Sequence, residues 1–163
     1  MVKIGEFGED GLIGYTGKYL VSMDDNGRLA VPARLRKQRP LGVSSKKQIK
    51  GYVLAKWIDG CLGMFIESEW VKRLQELRQD GSGFKRKNRI FNRHLSPNAY
   101  TVVPDNQGRV TIPKDLIKVA GLQGETLIVG ATDYIEIWNP ERFEKFLAEN
   151  MSFEESADQL FGD

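Results

Sequence analysis

Residues 19–32 read YLVSMDDNGRLAVP and residues 100–113 read YTVVPDNQGRVTIP, so the chain carries two copies of one small unit. At an offset of 81, Tyr19, Asp24, Gly27, Arg28 and Pro32 coincide with Tyr100, Asp105, Gly108, Arg109 and Pro113. Val21, Leu29, Val31 and Leu35 meet Val102, Val110, Ile112 and Leu116. Farther along, the offset falls to 73: Val53-Leu54-Ala55 sits over Thr126-Leu127-Ile128, Cys61 to Phe65 over Tyr134 to Trp138, and Trp70 over Phe143. The drop assigns eight extra residues to the first unit, in the basic loop between Arg36 and Tyr52.

Each copy spells out the same elements. Tyr19 to Met23 alternates and runs into Asp-Asp-Asn-Gly, a strand entering a tight hairpin turn in which Gly supplies the positive φ. The return strand, Arg28 to Val31, puts Leu29 and Val31 on one face and Arg28 and Ala30 on the other. Pro32 ends it and opens a short helix, Ala33 to about Lys37; the second copy repeats this from Pro113 to Ala120, with Gly121 as a C-cap. Two strands follow, Tyr52 to Trp57 and Leu62 to Ile66, joined at Asp59-Gly60, with counterparts at Thr126 to Val129 and Tyr134 to Trp138. A helix closes each copy, capped by Ser68 in the first, and by Asn139 with Pro140 in the second. Between the copies, Arg86 to Leu95 reads as a helix packed through Ile90 and Phe91, and the tail after Asn150 reads as frayed or weakly helical. Trp57, Trp70 and Trp138 sit among apolar neighbours and read as core. A unit of about 50–60 residues buries too little surface to stand alone, so the two must share one core.

The formal net charge is +2, but it is unevenly spread. No acid stands between Asp25 and Asp59, where there are nine bases, nor between Asp80 and Asp105, where Lys85, Arg86, Lys87, Arg89 and Arg93 cluster. From Asp133 onward nine acids face Arg142 and Lys145. Basic segments folded onto one face make an anion-binding surface; a solvated charged surface is the plainer alternative. Enzymatic chemistry is disfavoured. His94 and Cys61 are the only histidine and the only cysteine, so neither a Ser-His-Asp nor a Cys-His arrangement is well supported, nor is a His/Cys zinc cluster. No phosphate-binding glycine motif appears. The expectation is no cofactor, no metal and no small-molecule substrate. One cysteine suits a reducing cytoplasm. No run approaches the ~20 apolar residues that span a bilayer, and the N-terminal stretch does not read as a signal peptide.

The repeated Asp-x-x-Gly-Arg, each copy followed by an apolar strand and Pro, resembles the MraZ family of bacterial transcriptional regulators. Asp-Gly-Cys-Leu with Glu-x-Glu-Trp downstream, and Val-Gly with Glu-Ile-Trp in the second copy, strengthen the likeness, which covers about residues 15–148. More distantly the units look like the swapped-hairpin AbrB fold. The resemblance implies an α+β class: duplicated AbrB-like β-barrel units with pseudo-twofold symmetry and small helices packed outside. It implies a ring-shaped homo-oligomer, an octamer, bound to repeats in double-stranded promoter DNA. The ring would repress the division and cell wall gene cluster, including its own operon, in the cytoplasm at the nucleoid. The organisation expected is an extension over 1–14, a first repeat over 15–80, a basic linker and helix over 81–98, a second repeat over 99–148 and an acidic tail over 149–163.

In that family the Asp-x-x-x-Arg motifs are tied to DNA binding, which by position implicates Asp24 with Arg28 and Asp105 with Arg109. Physically, an arginine held at a rigid turn presents a planar fork to a phosphate or to guanine O6 and N7. The same pair is also explained as a purely structural lock on the turn. Arg34, Arg36, Lys37, Lys85, Arg86, Lys87 and Arg89 are candidates for phosphate contacts. Three departures matter. Asn26 and Gln107 stand where the family often has Lys; Pro104 is expected to distort entry to the second turn; and Arg36 matches Ile117, so the first copy is expected to carry more of the contact. An oligomeric scaffold whose basic face meets an acidic protein partner is the alternative function.

Overall fold

A computed structural model describes residues 12–78 and 85–162. The Gly81-Ser82-Gly83 link and most of the expected 1–14 extension lie outside the described residues. The first strand of each repeat pairs with the other repeat. β1 (Lys18–Ser22) runs antiparallel to β7 (Glu125–Gly130), with Tyr19 opposite Ile128. In the same way β5 (Ala99–Val102) runs antiparallel to β3 (Tyr52–Lys56), with Tyr100 opposite Leu54. With β4 (Leu62–Phe65) and β8 (Ile135–Trp138) these form one six-stranded antiparallel sheet in the order β1-β7-β8-β4-β3-β5. Exchanging the two repeats reverses this order onto itself. The register agrees: Gly63 faces Glu136 at the centre, flanked by Leu62 with Ile137 and Met64 with Ile135.

A second, two-stranded ribbon consists of β2 (Arg28–Ala30) and β6 (Arg109–Thr111), one from each repeat. Leu29 faces Val110 at its middle. The expected hairpin is therefore corrected. Its turn is present, but its two strands separate: β1 joins the large sheet and β2 the ribbon. The apolar face of β2 decides this. Leu29 and Val31 must be covered, and the matching apolar face belongs to Val110 and Ile112 of the other copy. The larger core cluster takes Leu29, Leu35, Leu54, Leu62 and Met64 from the first repeat and Val110, Leu116, Ile128, Ile135 and Ile137 from the second, and a smaller one of Cys61, Leu127 and Trp138 also joins the repeats.

The observed pairing also corrects the alignment of the copies. Leu54 pairs with Met64 and Ile128 with Ile137, so Leu54 corresponds to Ile128 at an offset of 74 rather than 73. Seven extra residues thus fall in the loop before β3, and the eighth in the turn between β3 and β4, where Asp59 adopts a φ of 66°.

The helices follow the sequence closely. α1 (Ala33–Lys37) and α4 (Lys114–Ala120) start after Pro32 and Pro113, and Gly121 ends α4 at a φ of 63°. α2 (Glu67–Glu76) begins after Ile66 without a side-chain cap, so Ser68 is the second helical residue and not the cap. α3 (Arg86–Leu95) spans the expected residues but is anchored by buried Leu95; Ile90 is exposed. α5 (Pro140–Glu149) is capped by Asn139, whose side chain accepts from the Arg142 amide. Of the two readings of the tail, the helical one is found: α6 (Phe153–Phe161) is a helix capped by Ser152. Trp138 is buried, while Trp57 and Trp70 are half-buried in a cluster with Phe65. Among the described residues no helix is long and apolar enough to cross a membrane.

Candidate nucleic-acid interface

The two Asp–Arg turns fold alike. In the first, Asp24 donates its amide to the Arg28 carbonyl (3.0 Å) and accepts the Gly27 amide on its own carbonyl (3.0 Å). In the second, Asp105 does the same with Arg109 (2.9 Å) and Gly108 (2.9 Å). Gly27 and Gly108 hold φ values of 76° and 78°, in the left-handed region where a side chain is costly. The second turn closes through Asp105 and Arg109 as the first does; the difference at Pro104 lies in the entry, where Met23 donates its amide to the Gly124 carbonyl (2.8 Å), a bond proline cannot make, and β5 ends one residue short of β1.

Each aspartate accepts three hydrogen bonds from its own turn. Asp24 Oδ1 accepts the amides of Asn26 and Arg28, both at 2.9 Å, and Oδ2 accepts Arg28 Nε at 2.7 Å. Asp105 takes the amides of Gln107 and Arg109 at 2.9 Å and Arg109 Nε at 2.9 Å. The backbone amides of Arg28 and Arg109, followed by the neighbouring amides and the guanidinium, hold both carboxyls below the ordinary aspartate range. A carboxylate held by three donors with its pKa lowered is a weak proton acceptor. Its effect is mechanical: it fixes Nε and leaves the two terminal nitrogens of each arginine without a partner among the described residues.

The ribbon fixes where these arginines stand. Arg28 is opposite Thr111, and Ala30 is opposite Arg109. Arg28 and Arg109 are therefore diagonal neighbours on one face, a separation that long side chains span. That face is the outer one: Ala30 and Thr111 are exposed, and the two arginine side chains are 38% and 31% exposed. A two-stranded ribbon is one of the shapes the DNA major groove admits.

The remaining candidates divide into two groups. Arg34, Arg36 and Lys37 lie on α1, held by buried Leu35. Arg36 Nε donates to the Val31 carbonyl at 3.0 Å, and its guanidinium lies against Gly108 of the second turn. A Cβ built on Gly108 would stand 2.6–2.8 Å from Arg36 Nε, Cζ and Nη2. At the equivalent place in the first turn, Gly27 is covered by Ile117. Each repeat's short helix thus covers the other repeat's turn. This overturns the basis for weighting the first turn, since Arg36 accompanies Arg109 and not Arg28. Linear sequence shows that Arg36 and Ile117 are equivalent but not that they trade places.

Lys85, Arg86, Lys87 and Arg89 form the other group, all exposed at the start of α3. α3 is tied to α2 by Asn88 Nδ2 donating to the Leu77 carbonyl at 3.2 Å, and its far end packs near Lys56, Trp57 and Ile58. These contacts belong to a different part of the fold from the turns. Reading by motif also passed over Arg142, whose Nη1 donates to the carbonyls of Gly60 (2.9 Å) and Val119 (3.0 Å) and so joins the repeats. Among the described residues no group of three His, Cys, Asp or Glu side chains is placed to hold a metal ion.

Comparison with known proteins agrees with the motifs. A family model described as "MraZ protein, putative antitoxin-like" matches residues 95–163, which take in the second repeat and the tail with α6. Three curated proteins named transcriptional regulator MraZ match across both repeats. The one from Heliobacterium modesticaldum is 35% identical over 147 residues, covering 90% of this chain and 96% of the relative. Those from Pediococcus pentosaceus and Treponema denticola are 34% and 30% identical, covering 90% and 89% of this chain and 96% of each relative. With likeness of this extent, and with both turn motifs built alike, the chain belongs to the MraZ family.

Proposed function

We propose that this protein is a sequence-specific DNA-binding transcriptional regulator, a repressor, and that the β2–β6 ribbon is its reading head. One observation carries the proposal: Arg28 and Arg109, each fixed by its own aspartate, stand side by side on the exposed face of a ribbon made by both repeats. Preorganised guanidinium groups lose little entropy on binding, and each can reach guanine O6 and N7 or a phosphate. The relatives' name, transcriptional regulator, supports the same reading. The family resemblance extends it: AbrB-like paired units in a ring-shaped octamer on promoter repeats of the division and cell wall genes, its own operon among them, at the nucleoid. A ring would present many ribbons to a row of repeats, raising avidity beyond that of one chain. Arg34 and Lys37 on α1 would supply phosphate contacts beside this head, and Lys85, Arg86, Lys87 and Arg89 at the start of α3, in a different part of the fold, would supply phosphate contacts away from it.

The test is fluorescence anisotropy with labelled DNA from upstream of the protein's own gene and a scrambled control, at several salt concentrations. The native chain is expected to prefer its own upstream DNA. The Arg28→Ala, Arg109→Ala double variant is expected to lose that preference while its circular dichroism and sedimentation stay unchanged. Equal weak binding of both DNAs by native protein, or native-like binding by the folded variant, refutes the proposal.

A further inference from the structure

We propose that the two turns are unequal, and that the grip on the DNA backbone is a composite site in which Arg36 of the first repeat and Arg109 of the second hold phosphate together. The inference rests on the DNA-binding reading above and adds to it a site that neither repeat contains by itself.

Three observations carry it. First, Arg36 is placed rather than loose. Its Nε is spent on the Val31 carbonyl at 3.0 Å, and Val31 in turn donates its amide to the Gly108 carbonyl at 3.0 Å. The guanidinium is thereby fixed against the residue preceding Arg109, and only a glycine at 108 leaves room for it. Second, Arg36 and Arg109 spend only Nε within the fold; their terminal nitrogens have no partner among the described residues. The Arg36 guanidinium lies against Gly108 and Arg109 is the next residue, so one turn holds two guanidinium groups, the pairing a phosphate oxygen needs. Third, the charge around the turns is lopsided. The first turn with its covering helix holds Asp24, Asp25 and Asp115 against Arg28, Lys114 and Lys118, which cancel. The second turn holds Asp105 and Arg109 and receives Arg34 and Arg36 from α1, so one acid there meets three arginines. At the first turn Ile117 lies against Gly27, so Arg28 works there with an apolar neighbour, free to read a base edge rather than hold phosphate.

The test measures affinity for the upstream DNA against salt concentration for native protein, Arg36→Gln, Arg109→Gln, Arg28→Gln, and the pairs of Arg36→Gln with each of the other two. Arg36→Gln is expected to flatten the log–log salt slope by about 0.9 per binding site lost, with sequence preference kept. Its loss and that of Arg109→Gln are expected to couple, the double variant losing several-fold less than the product of the singles, while Arg36→Gln and Arg28→Gln multiply independently. Because Arg36→Gln also loosens the Val31 carbonyl, Ile117→Arg supplies the reciprocal. It places a guanidinium against Gly27, with the Ile112 carbonyl available as Val31's is to Arg36, and is expected to steepen the slope by about 0.9. Coupling of Arg36 to Arg28, an unchanged slope in Arg36→Gln, or an unchanged slope in folded Ile117→Arg overturns the inference. Those outcomes leave DNA binding itself standing. Absence of any preference in the native protein refutes the DNA reading and takes this site with it.

Discussion

Leu29 faces Val110 directly across the β2–β6 ribbon, and neither has any exposed surface. They are the same position in the two repeats, so the centre of the core is a contact of the sequence with its own copy. Truncating either leaves a cavity in a site braced from both sides. Leu29→Ala is expected to cost about 2–5 kcal/mol, and Val110→Ala somewhat less. Chemical denaturation followed by tryptophan fluorescence and by far-UV circular dichroism should give one coincident transition in each variant. Two separate transitions would mean that the repeats fold independently, against the shared core.

The aspartate locks set a pH dependence. Asp24 and Asp105 have folded pKa values lowered chiefly by backbone amides. A lowered value means that their contribution to stability is fully present above the unfolded value, about 3.9, and is lost as pH falls through the folded value. The turns are therefore expected to stay locked through the ordinary carboxylate range and to open only below it. Carboxyl chemical shifts of the two residues followed by NMR will give the midpoints. Midpoints at or above those of free aspartate would contradict the hydrogen bonding described.

Arg142 gives a prediction away from the ribbon. Its guanidinium bridges the Gly60 carbonyl in the turn before β4 and the Val119 carbonyl in α4, and Asn139 Nδ2 donates to Gly121 beside it (2.7 Å). Arg142→Ala is expected to destabilise the chain by about 2 kcal/mol through the unpaired carbonyls without changing the ribbon. Thermal melting with a parallel DNA titration separates the effects. A variant as stable as native would show that water replaces the bridge at no cost.

The turn glycines should respond differently to the same substitution. Alanine at either pays for a positive φ of 76° or 78°, on the order of 1 kcal/mol or more. In Gly108→Ala the new methyl also meets the Arg36 guanidinium, the movable end of a long side chain, which must swing away. In Gly27→Ala it meets Ile117 Cδ1 at 3.0 Å and the Ile112 carbonyl oxygen at 3.1 Å, which have less room to move. Gly27→Ala is therefore expected to lose more stability and Gly108→Ala more DNA affinity. Differential scanning calorimetry and anisotropy on both variants will show whether the order holds.

Local elements were legible because their causes are local. Pro32 and Pro113 stop strands and start helices wherever the chain goes next, Gly121 terminates α4 through its own φ, and Asn139 caps α5 through an amide three residues on. The Asp–Arg turns were legible for the same reason, since their hydrogen bonds lie within five residues. Partnership between repeats was not. Alternation in Tyr19 to Met23 states that a strand forms but not which edge receives it, and the destination is β7. Two similar copies make that ambiguity acute, because a strand suited to its own repeat suits the other as well. The same blindness misassigned Arg36, whose neighbours in sequence pointed to Arg28 while the exchange of helices put it beside Arg109. For the tail, the choice between frayed and helical turned on a signal within a few residues: Ser152 followed by Glu154 and Glu155 marks a helix N-terminus.

The pairing of β1 with β7 also governs how the chain comes into being. Lys18 meets Val129, a partner that leaves the ribosome more than a hundred residues after it. At synthesis rates of about 5–20 residues per second, β1 and the apolar face of β2 wait for seconds with no native place to go. The first half cannot complete its fold while the second is still being translated, and a chain truncated between the repeats exposes two strands ready to take a neighbour's. The exchange that unites the repeats therefore makes the nascent protein depend on finishing, and it leaves half-made chains prone to capture one another.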